Sequence, residues 1–143
     1  MKIISVSGYV MMVTGLVGLV LTKSIFYNSP IIIGIQASAF ILMIGARKTF
    51  GRRSFHLAAN PTKGRLVTSG PYRFIRHPIY AAVILFSLPS VVVYFNIQTI
   101  VFVVAISCGS LLRITMEEKM LLLKYPKYKD YSGKTKRIIP FVY

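Results

Sequence analysis

The chain is 143 residues long, about the length of one domain, and it is 55% hydrophobic while carrying a formal net charge of +15. Those figures exclude an ordinary soluble globule and fit a small polytopic membrane protein. Cys108 is the single cysteine, which rules out a disulfide framework and a thiolate metal cluster, and His56 and His77 are too few and too far apart to hold a metal.

The charge is segregated. Ile3–Thr22, Ser24–Ala46 and Ile79–Leu112 contain no Lys, Arg, Asp or Glu. Crossing the hydrocarbon core takes roughly 20 apolar residues, so the first two runs are one span each and the third is two spans with a break between them. The expected fold is all-α: one membrane domain over 1–143 with four transmembrane helices. Two N-terminal spans occupy 1–46, a cytoplasmic loop 47–77, a helical hairpin 78–124 and a cytoplasmic tail 125–143. Basic residues collect on the cytoplasmic side of membrane proteins, where anionic lipids attract them. Four crossings put both termini on the Arg47 side, and of 18 Lys and Arg only Lys23 falls on the other face. Membrane lipids are therefore the expected surroundings. Nucleic acid is not an expected partner, because the basic residues flank apolar spans and do not line a solvated face. No feature of the sequence bears on oligomeric state.

The first run follows Lys2 and leads into Thr22-Lys23-Ser24-Ile25-Phe26, which lacks a small-residue cleavage site and so reads as a retained helix. Gly8, Gly15 and Gly18 give it a smooth stripe for close helix contact. Asn28-Ser29-Pro30 is a turn, and the second helix runs from Pro30 to about Ala46, ahead of the basic exit Arg47-Lys48-Thr49-Phe50-Gly51-Arg52-Arg53. The loop from Ser54 to Gly70 contains a turn at Asn60-Pro61-Thr62-Lys63-Gly64, and loops of this size are usually functional or disordered.

Gly70-Pro71-Tyr72-Arg73-Phe74-Ile75-Arg76-His77-Pro78-Ile79-Tyr80 follows, a basic, aromatic stretch where protein meets membrane. Pro78 suits the first position of a helix, and His77 would lie at its cap beside free N–H groups, a seat for a carboxylate or phosphate. The third helix runs to about Tyr94 with Pro89 as a kink. A tight turn at Phe95-Asn96-Ile97-Gln98 leads into a fourth helix from about Ile97 through Arg113 to Lys124. Tyr125-Pro126 ends it. The tail then alternates lysines with Tyr128, Tyr131, Phe141 and Tyr143, either as an interfacial segment or as a lid folded back over a site.

Only three residues are acidic, and two of them are the adjacent Glu117 and Glu118. Neighbours on a helix point about 100° apart, so one can face the bundle and the other the loop. Arg113, four residues earlier, shares a face with Glu117; the pair is either a structural ion pair or part of a site. Hairpin geometry sets His77-Pro78 beside this Arg–Glu–Glu group. Such a pocket suits a zwitterionic amino acid headgroup, and its tyrosines suit a sulfonium.

Leu66-Val67-Thr68-Ser69-Gly70-Pro71-Tyr72, Arg76-His77-Pro78-x-Tyr80, Arg113-x-x-x-Glu117-Glu118, Tyr128-x-x-Tyr131 and Ile139-Pro140-Phe141 resemble the isoprenylcysteine carboxyl methyltransferases. The wider family includes membrane phospholipid N-methyltransferases. The resemblance covers about half the chain, in order, around a helical hairpin. It implies transfer of a methyl group from S-adenosylmethionine to a lipophilic acceptor entering from the bilayer, on the cytoplasmic side, with S-adenosylhomocysteine as product. It assigns cofactor binding to Val67, Gly70, Pro71, Tyr72, Arg76, His77, Tyr80, Glu117, Glu118, Tyr128 and Tyr131, and orientation of an acceptor carboxylate to Arg113. An amine acceptor would have to lose a proton, which Glu117 or Glu118 could take. Ala82 stands where the family often has glycine, Tyr125-Pro126 stands for Phe-Gly, and the N-terminal half is short, so acceptor identity stays open. The alternatives are N-methylation of a phospholipid amine, an NADPH-dependent membrane reductase sharing the Arg-His-Pro element, or a non-catalytic basic membrane protein. No G-x-G-x-x-G follows a strand pattern, so any cofactor sits in the loop and helix ends.

Overall fold

A computed structural model of the chain describes residues 2–51 and 66–140. Among them are five α-helices and no strand: α1 (Lys2–Leu21), α2 (Pro30–Phe50), α3 (Pro78–Val93), α4 (Ile97–Lys124) and α5 (Tyr128–Lys134). A 3-10 turn covers Gly70–Arg73. The turn expected at Asn60–Gly64 lies outside the described residues. Helices α1, α2 and α4 are each long and apolar enough to cross a membrane. Helix α3 is apolar but has 16 residues, about 24 Å at about 1.5 Å per residue, which is less than the roughly 30 Å of a hydrocarbon core. The chain is an all-α polytopic membrane protein whose third helix is cut short where the Arg-His-Pro segment begins.

The helix ends follow from local chemistry. Helix α1 closes with Lys23 in the left-handed region (φ 56°). There the Ser24 N–H reaches the Leu19 carbonyl at 2.9 Å and the Lys23 N–H the Val20 carbonyl at 3.0 Å, a Schellman closure made without glycine. Helix α2 starts at Pro30 and runs four residues past the expected Ala46, because Arg47 and Lys48 in its last turn favour the carbonyl end of the dipole. It stops at Gly51, whose φ is 70°. Asn96 caps α4, its side-chain oxygen accepting from the Thr99 N–H at 2.9 Å and the Thr99 hydroxyl at 3.2 Å. This cap converts the single polar break in the long apolar run into the α3–α4 hairpin.

The expected glycine stripe is the α1–α4 seam. A Cβ on Gly109 would lie 2.5 Å from the Gly8 carbonyl oxygen and 2.9 Å from the Met12 nitrogen, so the two backbones touch there. Further along, Gly15 and Gly18 make room for Phe102 and Ile106. Leu19, Val103 and Ile106 form the buried core, with Met12, Leu16, Val83 and Val91 packed around it. At the hairpin end Tyr27 shares a 2.6 Å hydrogen bond with Ser90, and the Tyr94 hydroxyl donates to the Phe26 carbonyl at 2.5 Å. These bonds tie the α1–α2 connection to the end of α3. Pro89 is buried inside α3, where the sequence placed it. Helix α2 turns Ile31, Phe40 and Ile41 outward, each well exposed, as lipid contact requires.

Without a hydrophobic drive between helices in lipid, close backbone contact is what holds α1 on α4. Gly109→Ala should lower the midpoint of denaturation in detergent, by an amount equivalent to about 1–3 kcal/mol of overpacking. Gly34→Ala, where a Cβ meets nothing within 4 Å, should leave it unchanged or slightly raised. Equal midpoints for the two variants would refute the seam.

Candidate functional site

The Gly-Pro-Tyr element is the turn that carries the chain from α2 towards α3. Gly70 has φ 58°, and a Cβ there would lie 2.5 Å from the Thr49 hydroxyl of α2, so the position requires glycine twice over. Pro71 pre-sets the following turn, and Tyr72 is buried with its ring 5.6 Å from that of Phe50. Val67 is half-buried in the irregular stretch before this turn and makes none of the hydrogen bonds described below.

Pro78 opens α3 and His77 is its N-cap, as the sequence indicates, but the imidazole does not cap the helix. It turns to α4 instead, with Nδ1 3.7 Å from Glu117 and Nε2 3.4 Å from Glu118. The two carboxylates diverge as adjacent helical residues must. Glu118 faces the loop and tail, where Arg76 Nε donates to Oε1 at 2.9 Å and Arg137 meets Oε2 through Nη2 at 2.9 Å and Nε at 3.0 Å. Glu117 faces the bundle. It accepts from the Tyr80 hydroxyl at 2.5 Å and lies 3.7 Å from Arg113 Nη2. Arg113 Nε in turn donates to the Tyr80 oxygen at 2.8 Å. A line of three side chains, Arg113 to Tyr80 to Glu117, therefore runs from the bundle interior to the second carboxylate.

The tail folds back over the Arg-His-Pro segment. Ile75 and Lys136 form a parallel bridge, with the Arg76 N–H donating to the Lys136 carbonyl at 2.7 Å and the His77 N–H to the Arg137 carbonyl at 3.0 Å. The Arg76 guanidinium donates to the carbonyls of Ser132, at 2.7 Å, and Thr135. The Tyr131 hydroxyl donates to the Tyr72 carbonyl at 2.6 Å. Tyr128 is buried at 1% exposure, and its hydroxyl, close enough to Glu118 to feel that charge, meets no partner of ordinary hydrogen-bond geometry among the described residues. Burial, reinforced by the Glu118 charge, raises the Tyr128 hydroxyl above its usual range, and burial with the Glu117 charge does the same at Tyr72. Burial pushes Tyr131 up to about 12. All three are neutral donors near pH 7.

The structure thus brings Arg76, His77, Tyr80, Arg113, Glu117 and Glu118 into one cluster, with Tyr128 and Tyr131 on its tail side. Gly70, Pro71 and Tyr72 shape the turn that supports it. Three contributors had not been singled out in the sequence. Arg137 is the one arginine in a lysine-rich tail, and its position 19 residues from Glu118 gives no local signal of the contact. From α1, the Tyr9 ring stands 5.2 Å from the Arg113 guanidinium carbon and the Ser5 carbonyl accepts from Arg113 Nη1 at 3.4 Å. A tyrosine in an apolar helix gives no such signal either.

Fold and site define an integral membrane protein whose charged cluster sits where the ends of a helical hairpin meet. The model of the isoprenylcysteine carboxyl methyltransferase family matches residues 29–123, about two-thirds of the chain, and the chain belongs to that family of membrane methyltransferases. No curated protein and no solved structure matches it.

Tyr131→Phe removes a hydrogen bond at the tail–turn contact, a loss of about 1 kcal/mol. The amides of Arg76 and His77, which are closed by the tail, should then exchange about fivefold faster in hydrogen–deuterium exchange, while those of mid-α4 stay as they were. Unchanged exchange at Arg76 and His77 would show that the tail is held by other contacts.

Proposed function

We propose that the protein transfers a methyl group from S-adenosylmethionine to a lipophilic acceptor at the cytoplasmic membrane interface, with the carboxylate of an isoprenylcysteine-type substrate as acceptor. The observation that carries this reading is the meeting of the twin carboxylates of α4 with the Arg76-His77 segment at the start of α3. The donor set fits an amino acid headgroup. Glu118 and Glu117 are the acceptors an ammonium needs, and Arg76 and Arg137 are the forked donors a carboxylate needs. The buried Tyr128 hydroxyl, beside Glu118, offers a further contact. Tyr72, Tyr80 and Tyr131 add aromatic faces, which stabilise a sulfonium.

When bound, the cofactor supplies an electrophilic methyl group on a positively charged sulfur. The protein's part is alignment, because an in-line displacement is accelerated chiefly by holding nucleophile and electrophile in line. Glu118, Arg76, His77 and Arg137 would fix the headgroup, and the tail would exclude water as it crosses the Arg-His-Pro segment. Arg113 would hold the acceptor carboxylate, which is ionised near neutral pH and needs no general base. A second reading, methylation of a phospholipid amine, draws on Glu117. Its side chain is more exposed than that of Glu118, at 27% against 11%, and it could take the amine proton.

Isothermal titration of S-adenosylhomocysteine into detergent-solubilised protein tests the cofactor. Binding is expected, and Glu118→Gln and His77→Ala should each weaken it about tenfold or more, as loss of a charged hydrogen bond does. Wild-type affinity in both variants would defeat the reading. The acceptor atom is tested with labelled cofactor and a prenylated cysteine analogue. Label recovered as a base-labile ester marks oxygen as the acceptor, and base-stable label marks nitrogen and favours the second reading.

A further inference from the structure

Helix α1 presents Ser5, Gly8 and Tyr9 on one face, at the i, i+3, i+4 spacing of a single helical surface. All three meet Arg113. A Cβ on Gly8 would stand 3.2 Å from Arg113 Cγ, so the arginine stem lies against the bare backbone of α1. The Ser5 carbonyl accepts from Nη1 at 3.4 Å. The Tyr9 ring centroid is 5.2 Å from the guanidinium carbon, and the Tyr80 ring centroid of α3 is 5.9 Å from it. Arg113 is 4% exposed; its guanidinium is flanked by aromatic rings from two helices, and Tyr80, Ser5 and Glu117 approach its Nε, Nη1 and Nη2. Both aromatic contacts lie within the roughly 6 Å over which a ring face attracts a cation.

We propose that Tyr9 is a positioning residue that sets the plane of the Arg113 guanidinium, so that it offers an edge to the carboxylate of a lipophilic anionic acceptor. Forked recognition of a carboxylate needs two parallel N–H groups at the same edge. A guanidinium free to roll about its stem would present them in a fraction of its orientations. Tyr80, the Ser5 carbonyl and Glu117 meet the guanidinium at its rim, through Nε, Nη1 and Nη2, whereas its central carbon lies over the Tyr9 ring. Tyr9 answers to no other polar group in the cluster. It lies in α1, outside the matched residues 29–123, so the first helix completes a site whose other members come from the matched stretch and the tail. The inference rests on the methyltransferase reading and commits it to an anionic carboxylate acceptor.

The test compares wild type, Tyr9→Leu, Tyr9→Met and Tyr9→Phe with S-adenosylmethionine and an N-acetyl S-prenyl cysteine as probe, alongside titration of S-adenosylhomocysteine. Tyr9→Leu and Tyr9→Met should raise the acceptor KM about tenfold, with product affinity unchanged within about twofold. Tyr9→Phe, which keeps the ring, should recover most of the loss. In an Arg113→Lys background, with no planar fork to orient, Tyr9→Leu should add less than about a twofold further change. An acceptor KM in Tyr9→Leu equal to that of wild type overturns the inference and leaves the methyltransferase reading standing. Joint loss of acceptor and product affinity in both Leu and Met variants shows a merely structural role and also overturns it. A wild type that binds S-adenosylhomocysteine but neither binds nor methylates the carboxylate probe overturns the inference alone. A wild type that binds no S-adenosylhomocysteine overturns both.

Discussion

The Glu118 carboxylate is the point on which the folded site depends. Arg76 reaches it from the segment before α3, Arg137 from the tail, and His77 from the α3 cap, each within 3.4 Å. Among the described residues, the Arg76-His77 segment and the tail share no secondary structure beyond a single parallel bridge between Ile75 and Lys136. A carboxylate with 11% side-chain exposure among several donors cannot be left unpaired without the desolvation cost of a buried charge. Assembly of the site is therefore coupled to docking of the tail. The same argument explains why acids are so few in a chain with 18 basic residues: near the bilayer each carboxylate needs built-in partners, and Glu117 and Glu118 have them.

Helix lengths put this cluster at the end of the hairpin, beside the last turns of α4. With the hairpin turn at residues 94–96 as origin, α3 runs back only to Pro78, whereas α4 continues beyond Glu118 to Lys124. The shortfall of α3 leaves a gap beside the last turns of α4, and Arg76, His77 and the tail reach Glu118 across it. Irregular backbone in a membrane protein is tolerated where protein satisfies its polar groups. The Arg76 and His77 amides are satisfied in this way by the Lys136 and Arg137 carbonyls. A helix of full length in place of α3 would satisfy its own amides but would leave no room for the cations that Glu118 needs.

Much of this was legible in the sequence, for reasons that differ by element. The helices were, because charge-free runs of spanning length have few other solutions. Pro78 marked a helix start through the stereochemistry of proline, and the polar break at Phe95-Asn96-Ile97-Gln98 marked the hairpin turn, though not the capping of α4 by Asn96. The adjacency of Glu117 and Glu118, set four residues after Arg113, made the divergence of the two carboxylates readable from helix periodicity alone. The four extra residues of α2 were missed because Arg47 and Lys48 read as a membrane boundary, although a boundary for lipid is not a boundary for a helix whose carbonyl end welcomes cations. Arg137 and Tyr9 were illegible for another reason. Their partners are 19 and 104 positions away along the chain, and no local pattern encodes a contact that exists only after α1 packs on α4 and the tail turns back.

The α1–α4 seam links these observations into one constraint. Gly8 and Gly109 bring the two backbones into contact, and at that spacing the stem of Arg113, one turn beyond Gly109, lies against α1 with Ser5 and Tyr9 on either side of Gly8. A wider crossing would move the Tyr9 ring beyond the distance at which it attracts the guanidinium and would leave the Ser5 carbonyl out of reach. The glycines that pack the first helix thus also fix the surroundings of Arg113. Because that arginine is linked through Tyr80 to Glu117, and Glu117 is bonded in sequence to Glu118, the depth of α1 is transmitted along α4 to the carboxylate that gathers the loop and the tail. Packing of the first helix and closure of the last segment are two ends of the same chain of contacts.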